Sequence, residues 1–479
     1  MRVVGIATSV SLLGGCLVVG PDYKAPQLNL PSKWGSNPRK AEVRAPELSR
    51  WWERLNDPLL NKLMAEAVAG NLDVATAKAK IREARATHKQ AFGSLFPSVE
   101  GTASANRGRA DEVVANDFKA GFDSSWELDL FGANKRSAEA ARFGIDAAEW
   151  ELRSTLLTLV GDVATYYTEA RGYQARIALA KQTASSQANT AKLTRTKFDA
   201  GTASAVDVAN AEGQAASTAA DIPTLESAYT EDVHRLAVLT GREPSALTDQ
   251  MAKGGPIPVP RLPIPTGVPA DVLLSRPDVR AAERQYAQYT AKVGQAQAAL
   301  YPSVSLSGNI DTEGVKIGDL AKGSAISWSF GPSLTVPIFQ GGQLRAAVEV
   351  AQAQRDQYFI AYKSAVLTAL EDVENAIVSL NNQRIAYRRR SVSAKAYIEA
   401  SRLSNALYQS GASSFLDVLT AARSAYSAED AQIQGRVAIT TDYVALNKAL
   451  GGGWDGQVDS SKPEIVDTHT GPHLAKIQE

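Results

Sequence analysis

The sequence predicts a mainly α-helical, internally duplicated chain with a small β part and long coiled-coil-like helices. Three observations lead there. First, short blocks recur in the same order at an offset of roughly 205–211 residues, a period that suits duplication of a domain-sized module rather than a solenoid unit. Leu95-Phe96-Pro97-Ser98-Val99 returns as Leu300-Tyr301-Pro302-Ser303-Val304, and Leu130-Phe131-Gly132 as Ile338-Phe339-Gln340-Gly341. Phe198, Gly201 and Asp207 return as Tyr408, Gly411 and Asp417, and Leu239-Thr240-Gly241 as Leu450-Gly451-Gly452. Second, no proline lies between Pro97 and Pro223 or between Pro337 and Pro463, and apolar residues at 4-3 spacing run through these stretches. Third, four short segments alternate apolar and polar residues, the strand signature.

Each copy reads helix, strand, strand, long helix, turn, returning helix. Residues 58–92 and 277–300 have a helical pattern, ended by Pro97 and Pro302. The strands fall at 98–107, 118–128, 303–311 and 325–331. In the second of these Phe118, Ala120, Phe122, Ser124, Trp126 and Leu128 share one face; Ile326, Trp328 and Phe330 share one face of the fourth. About ten residues suits a tilted membrane-crossing strand of ~9–11 residues, and a soluble sheet on a helical core explains the alternation equally well. Four strands close no barrel alone, and lipid forbids open edges, so a membrane role requires several chains. A long helix from about Lys135 to Ala200 carries Leu152, Leu156, Leu159, Val163, Tyr166, Ala170, Tyr173, Ile177 and Ala180 on one stripe; Val366, Leu370, Val373, Ile377 and Leu380 form its counterpart. Such a helix is ~100 Å long. Gly201 and Gly411 are expected as helix-ending turns. Asp207 and Asp417 are expected to begin the returning helices, where an N-cap role would not exclude a role in a pore.

The amino terminus, MRVVGIATSVSLLGGC, has one charge, Arg2, and an apolar stretch too short to cross a bilayer. It reads as a signal peptide, residues 1–15. Leu13-Gly14-Gly15-Cys16 resembles a bacterial lipobox, in which Cys16 is lipidated; a plain signal peptide with an incidental cysteine is the alternative. No other segment offers a membrane-spanning apolar run.

Composition excludes several function classes. Lys+Arg and Asp+Glu number 51 each in 479 residues, against the basic excess of nucleic-acid binders. The single cysteine permits neither an intrachain disulfide nor a cysteine zinc site. There is no Gly-Lys-Ser/Thr phosphate loop and no Gly-x-Ser-x-Gly elbow. His469 and His473 sit in a polar tail. No catalytic residue, metal site or cofactor is expected.

Cys16 followed by Gly20-Pro21-Asp22-Tyr23, then Trp51-Trp52 with Asp57-Pro58-Leu59, Asn71-Leu72-Asp73, Ser275-Arg276-Pro277-Asp278-Val279, Pro337-Ile338-Phe339 and Leu450-Gly451-Gly452-Gly453-Trp454, in that order, resembles outer-membrane efflux lipoproteins of the NodT type within the TolC-like outer-membrane factor family. The resemblance implies a homotrimer with four strands per chain in a shared 12-stranded transmembrane β-barrel and long helices in a periplasmic α-barrel. It implies an exit duct, not an enzyme, served by a periplasmic adaptor and an inner-membrane pump of the RND type, in contact with outer-membrane lipid. Its divisions are 16–57, a lipidated extended segment; 58–252 and 271–454, the repeats; 253–270, a Pro-rich linker; and 455–479, a polar disordered tail. It places a periplasmic aperture at Asp207, Tyr408, Leu416, Asp417, Thr420 and Arg423, with Tyr408 and Asp207 at the places of a Tyr–Asp lock. Thr420 stands where some members carry an acid. Phe118, Phe122, Trp126, Trp328 and Phe330 would face lipid. A type I secretion duct and a lipid-anchored periplasmic coiled-coil scaffold remain as alternatives.

Overall fold

A computed structural model of the protein describes residues 18–28, 48–110, 113–260 and 270–462. The signal segment, Cys16, residues 261–269 of the Pro-rich linker and the tail beyond Lys462 lie outside the described residues. In chain order the elements are α1 (Pro58–Gly70), α2 (Leu72–Gly93), β1 (Ser98–Ala110), β2 (Val113–Leu128), α3 (Ala133–Asp199), α4 (Ala205–Leu239), the short α5 (Thr248–Ala252), α6 (Pro277–Ala298), β3 (Ser303–Gly314), β4 (Ile326–Thr335), α7 (Gln343–Gln409) and α8 (Phe415–Ala449). The described residues group into two compact units, each drawing on both copies: one from those within 18–28, 80–150 and 280–365, the other from those within 48–79, 151–279 and 366–462.

The first unit holds the sheet, antiparallel throughout in the order β1-β2-β3-β4. Its strands are longer than the alternation marks, because β1 and β2 stay paired out to Ala110↔Val113. An extended amino-terminal segment docks in the same unit. Val19 N–H donates to the Phe131 carbonyl at 3.1 Å. The buried Arg136 guanidinium donates to the Val19 and Gly20 carbonyls and to Asp22 Oδ1 at 2.8 Å. Tyr23 donates to Glu283 and packs edge-on against Phe143 and Tyr286. Gly20 has φ +94° and lies so close to α6 that a Cβ would sit 2.3 Å from Gly294 Cα; only glycine permits this turn and approach.

The second unit is helical. The expected helix at 58–92 is broken at Asn71. That residue ends α1, and its Oδ1 accepts the N–H groups of Asp73 and Val74, capping α2. Its amide then donates to the Leu239 carbonyl at 3.0 Å, so a long-range contact fixes the break. Of the α3 stripe, Leu152, Leu156, Leu159, Val163, Ala170 and Ala180 are buried, whereas Tyr166, Tyr173 and Ile177 are half-buried. At the first of these steps Tyr167 is the fully buried residue, and its hydroxyl donates to Asp57 Oδ2 at 2.7 Å. Asp57 also caps α1. Trp51, Trp52 and Tyr443 form a buried aromatic group, with Trp51 Nε1 donating to the Gly452 carbonyl.

The turns ending α3 and α7 are the same motif twice. Gly201 and Gly411 have φ +76° and +79°. Gly201 N–H donates to Phe198 O and Thr202 N–H to Lys197 O; Gly411 and Ala412 do the same to Tyr408 and Leu407. This is the double hydrogen bond of a Schellman turn.

Arg136→Ala removes three charge-assisted hydrogen bonds from the amino-terminal segment. The expected loss is about 2 kcal/mol, read as a lower melting temperature together with faster proteolysis ahead of α1. An unchanged melting temperature and digestion pattern would show that the segment is held by other contacts.

Candidate functional site

Two surfaces carry the residues singled out from the sequence. The first is the sheet. Its register aligns Phe122 with Ile310 and Ile310 with Trp328, Trp126 with Leu306, and Gly308 with Phe330. Directly paired residues project to the same side, so Phe118, Phe122, Trp126, Trp328 and Phe330 share one face. Phe122, Trp328 and Phe330 are 61%, 75% and 70% exposed, a density of open aromatic surface that water does not favour. Phe118 and Trp126 are half-buried, and Trp126 Nε1 donates to the Leu95 carbonyl at 3.0 Å. The opposite face is polar: Lys119 pairs with Asp311 at 3.4 Å, Asp311 also accepts from Ser327 and Asn309, and Thr102 donates to Asp123.

The second surface lies at the corners where α3 turns into α4 and α7 into α8. Ser204 and Ser414 are the N-caps, not Asp207 and Asp417 as the sequence suggested. Each serine hydroxyl accepts the N–H of the aspartate three residues on, and each carboxylate accepts the serine's backbone N–H. This reciprocal box places the acid at N3, where its charge also meets the positive end of the helix dipole. Hydroxyl donation from Ser414 and Ser413 holds the Asp417 carboxyl below the usual range.

Around the corner Phe415, Val418 and Leu419 of α8 are buried with Tyr408, Ala191 and Ala211. The opposite face of α8 shows Leu416, Asp417, Thr420 and Arg423, all exposed. Arg423 donates to Gln214 of α4. Tyr408 is buried; its hydroxyl bonds Thr194 at 3.0 Å rather than Asp207, and Lys197 Nζ lies 3.9 Å from its ring centroid while donating to its carbonyl. Lys197 and Thr194 were not found from the sequence, which carries no local sign of a contact made across the duplication. Ser204 and Ser414 were also missed, although Ser-x-x-Asp ahead of a helix is a readable capping signal. Val206, exposed at the first corner, is the repeat counterpart of Leu416.

The outer membrane efflux protein family matches residues 63–242 and 268–452, most of both copies. The chain belongs to this family. It is 36% identical over 452 residues to nodulation protein T of Rhizobium leguminosarum bv. trifolii, covering 93% of this chain and 96% of that one. It is 30% identical over 482 residues to the antibiotic efflux pump outer membrane protein ArpC of Pseudomonas putida, covering 97% and 99%. Its fold matches the outer-membrane channel OprN with a TM-score of 0.85 at 34% identity, over 91% of this chain and 99% of that one. The CmeC outer membrane channel of Campylobacter jejuni gives 0.84 at 26% identity, over 93% and 97%. Family membership makes this an outer-membrane channel protein rather than an enzyme. No group of three or more metal-ligating side chains occurs among the described residues.

One titratable group of this efflux protein escaped the sequence reading, because a carboxylate on a helix normally faces water. Asp232 of α4 is buried, and its Oδ2 has no hydrogen-bond partner. Burial first, then the nearby Glu169 and Glu231, push its carboxyl up to about 7. Between its unfolded value near 4 and about 7, the folded chain holds a proton the unfolded chain has lost, so stability falls as pH rises through that window and levels off above it. Asp232→Asn is therefore expected to raise the melting temperature at pH 8, with the gain vanishing below pH 4. A gain independent of pH would show that Asp232 is not the titrating group.

Proposed function

We propose that this protein is the outer-membrane exit duct of a tripartite efflux system, passively conducting drugs or other small molecules to the exterior. The observation that carries this is the sheet: one aromatic face, one polar face, and two open edges in a chain of the outer membrane efflux family. Lipid leaves no partner for an open strand edge. Three copies of the four-stranded sheet give a closed 12-stranded barrel with aromatic residues toward lipid and the Lys119–Asp311 side toward the lumen. In this reading the protein is a homotrimer, anchored additionally through Cys16, and its repeats are 58–252 and 271–454, joined by the linker 253–270.

The aperture is formed by Asp207, Tyr408, Leu416, Asp417, Thr420 and Arg423 at the corners. Carboxylates repeated by symmetry make a cation-attracting neck, Leu416 narrows it, and Tyr408 holds the backbone beneath it. The corners are where a periplasmic adaptor docks, with an inner-membrane pump of the RND type supplying the energy. The efflux-pump names of relatives such as ArpC support this assignment.

Native mass spectrometry tests the assembly: a trimer with acyl groups on Cys16 is expected, and a monomer would remove the duct. In planar bilayers the trimer is expected to conduct ions. Asp417→Asn keeps hydrogen-bonding atoms for the cap and removes the charge, so it should lower cation preference with little loss of stability. Asp207→Ala with Tyr408→Ala should raise conductance, and an unchanged value would take these two out of the aperture. Phe122→Lys, on the aromatic face, is expected to cost about 2–4 kcal/mol in assembly, seen as loss of heat-modifiable trimer. Normal trimer yield would mean that this face does not meet lipid.

A further inference from the structure

Resting on the trimeric reading above, we propose that Phe339 of each protomer stacks on Phe96 of a second copy of this chain, closing the junction where β4 meets the next β1. The chain already contains the counterpart of this contact. Phe131 lies just after β2 and Tyr301 just before β3, and their rings stack at 4.7 Å with planes 19° apart. The duplication matches Phe131 with Phe339 and Tyr301 with Phe96. Phe339 follows β4 as Phe131 follows β2, and Phe96 precedes β1 as Tyr301 precedes β3.

Within the chain the second pair is unmade. Phe339 is 87% exposed and Phe96 58%, and Ile338 beside Phe339 is open too. Phe96 is braced edge-on by Phe92 at 5.4 Å, which fixes one side of its ring and leaves the other free. Direction supplies the rest. The strands alternate, so β4 and β2 run the same way, as do β1 and β3. In a closed antiparallel barrel the exit of β4 therefore lies beside the entry of the neighbouring β1, as the exit of β2 lies beside the entry of β3. An aromatic pair belongs at both junctions, and only a partner subunit can complete the second.

Cross-linking tests the contact in the full chain, whose only native cysteine is Cys16. Chains carrying Phe96→Cys are co-expressed with chains carrying Phe339→Cys, and outer membranes are treated with a short bismaleimide. A cross-linked dimer is expected from the mixture and not from either chain alone. Phe131→Cys with Tyr301→Cys in one chain calibrates the reagent, giving an intrachain link seen as a faster-migrating monomer. Where loss of a ring prevents assembly, Ser94→Cys and Gln340→Cys flank the same junction with both phenylalanines in place. A native trimer with the calibrating link but no Phe96–Phe339 or flanking link would overturn the contact and leave the trimer standing. A monomeric native protein would overturn the trimer itself, and the contact with it.

Discussion

Among the described residues no strand pairs with the outward rows of backbone N–H and C=O groups on β1 and β4, and no placement of a single copy of the sheet in lipid supplies a partner. Each such group left unpaired in hydrocarbon costs several kcal/mol, more than any single side-chain contact described above returns. The sheet therefore decides the assembly, and the side chains conform to it. The even number of strands lets copies join with the same antiparallel pairing found inside the chain. The period-two alternation sorts Phe122, Trp328 and Phe330 from Lys119 and Asp311 without a misplaced residue among them.

Duplication explains how one chain meets so demanding a closure. The two copies are not merely alike in sequence; they make the same hydrogen bonds. The Schellman turns at Gly201 and Gly411, the capping boxes at Ser204 and Ser414, and the glycine turns at Gly241 and Gly451 repeat atom for atom. The copies differ inside the corner, where Ser413 adds a hydroxyl to Asp417 and its counterpart Ala203 has none to offer, and they differ in what each meets. Tyr408 reaches back to Thr194 and Lys197 of the first copy, whereas its counterpart Phe198 has no hydroxyl to offer.

Legibility in the sequence follows the range of each interaction. The strand faces, the long helices and the two corners were readable because alternation, 4-3 spacing and glycine act within a few residues. The break at Asn71 was not, because its decisive bond goes to Leu239, on α4. The choice between Tyr166 and Tyr167 was not, since a 4-3 stripe accepts either and Asp57 decides. Arg136 reads as one more helix-face cation until the extended segment at Val19–Asp22 is seen lying on it. At the corners both the acids and the Ser-x-x-Asp spacing were legible, and it is the serine three residues ahead that turns an apparent N-cap into an N3 residue.

That last distinction bears on how an aperture at the corners would work. An N-cap side chain sits at the joint between turn and helix and follows the turn. An N3 carboxylate is bound to the serine N–H and hydroxyl and belongs to the first turn of its helix. Asp417, held ionised by its serines, thus has little freedom to swing into or out of a lumen on its own. Arg423 is tied to α4 through Gln214, and Tyr408 is locked beneath by Thr194 and Lys197. With Asp417 and Arg423 each fixed to a helix, a change of bore at such an aperture would require the helices to move as bodies. The contacts that resist such a movement are those between the copies, Arg423 with Gln214 and Tyr408 with Thr194, rather than those inside either corner.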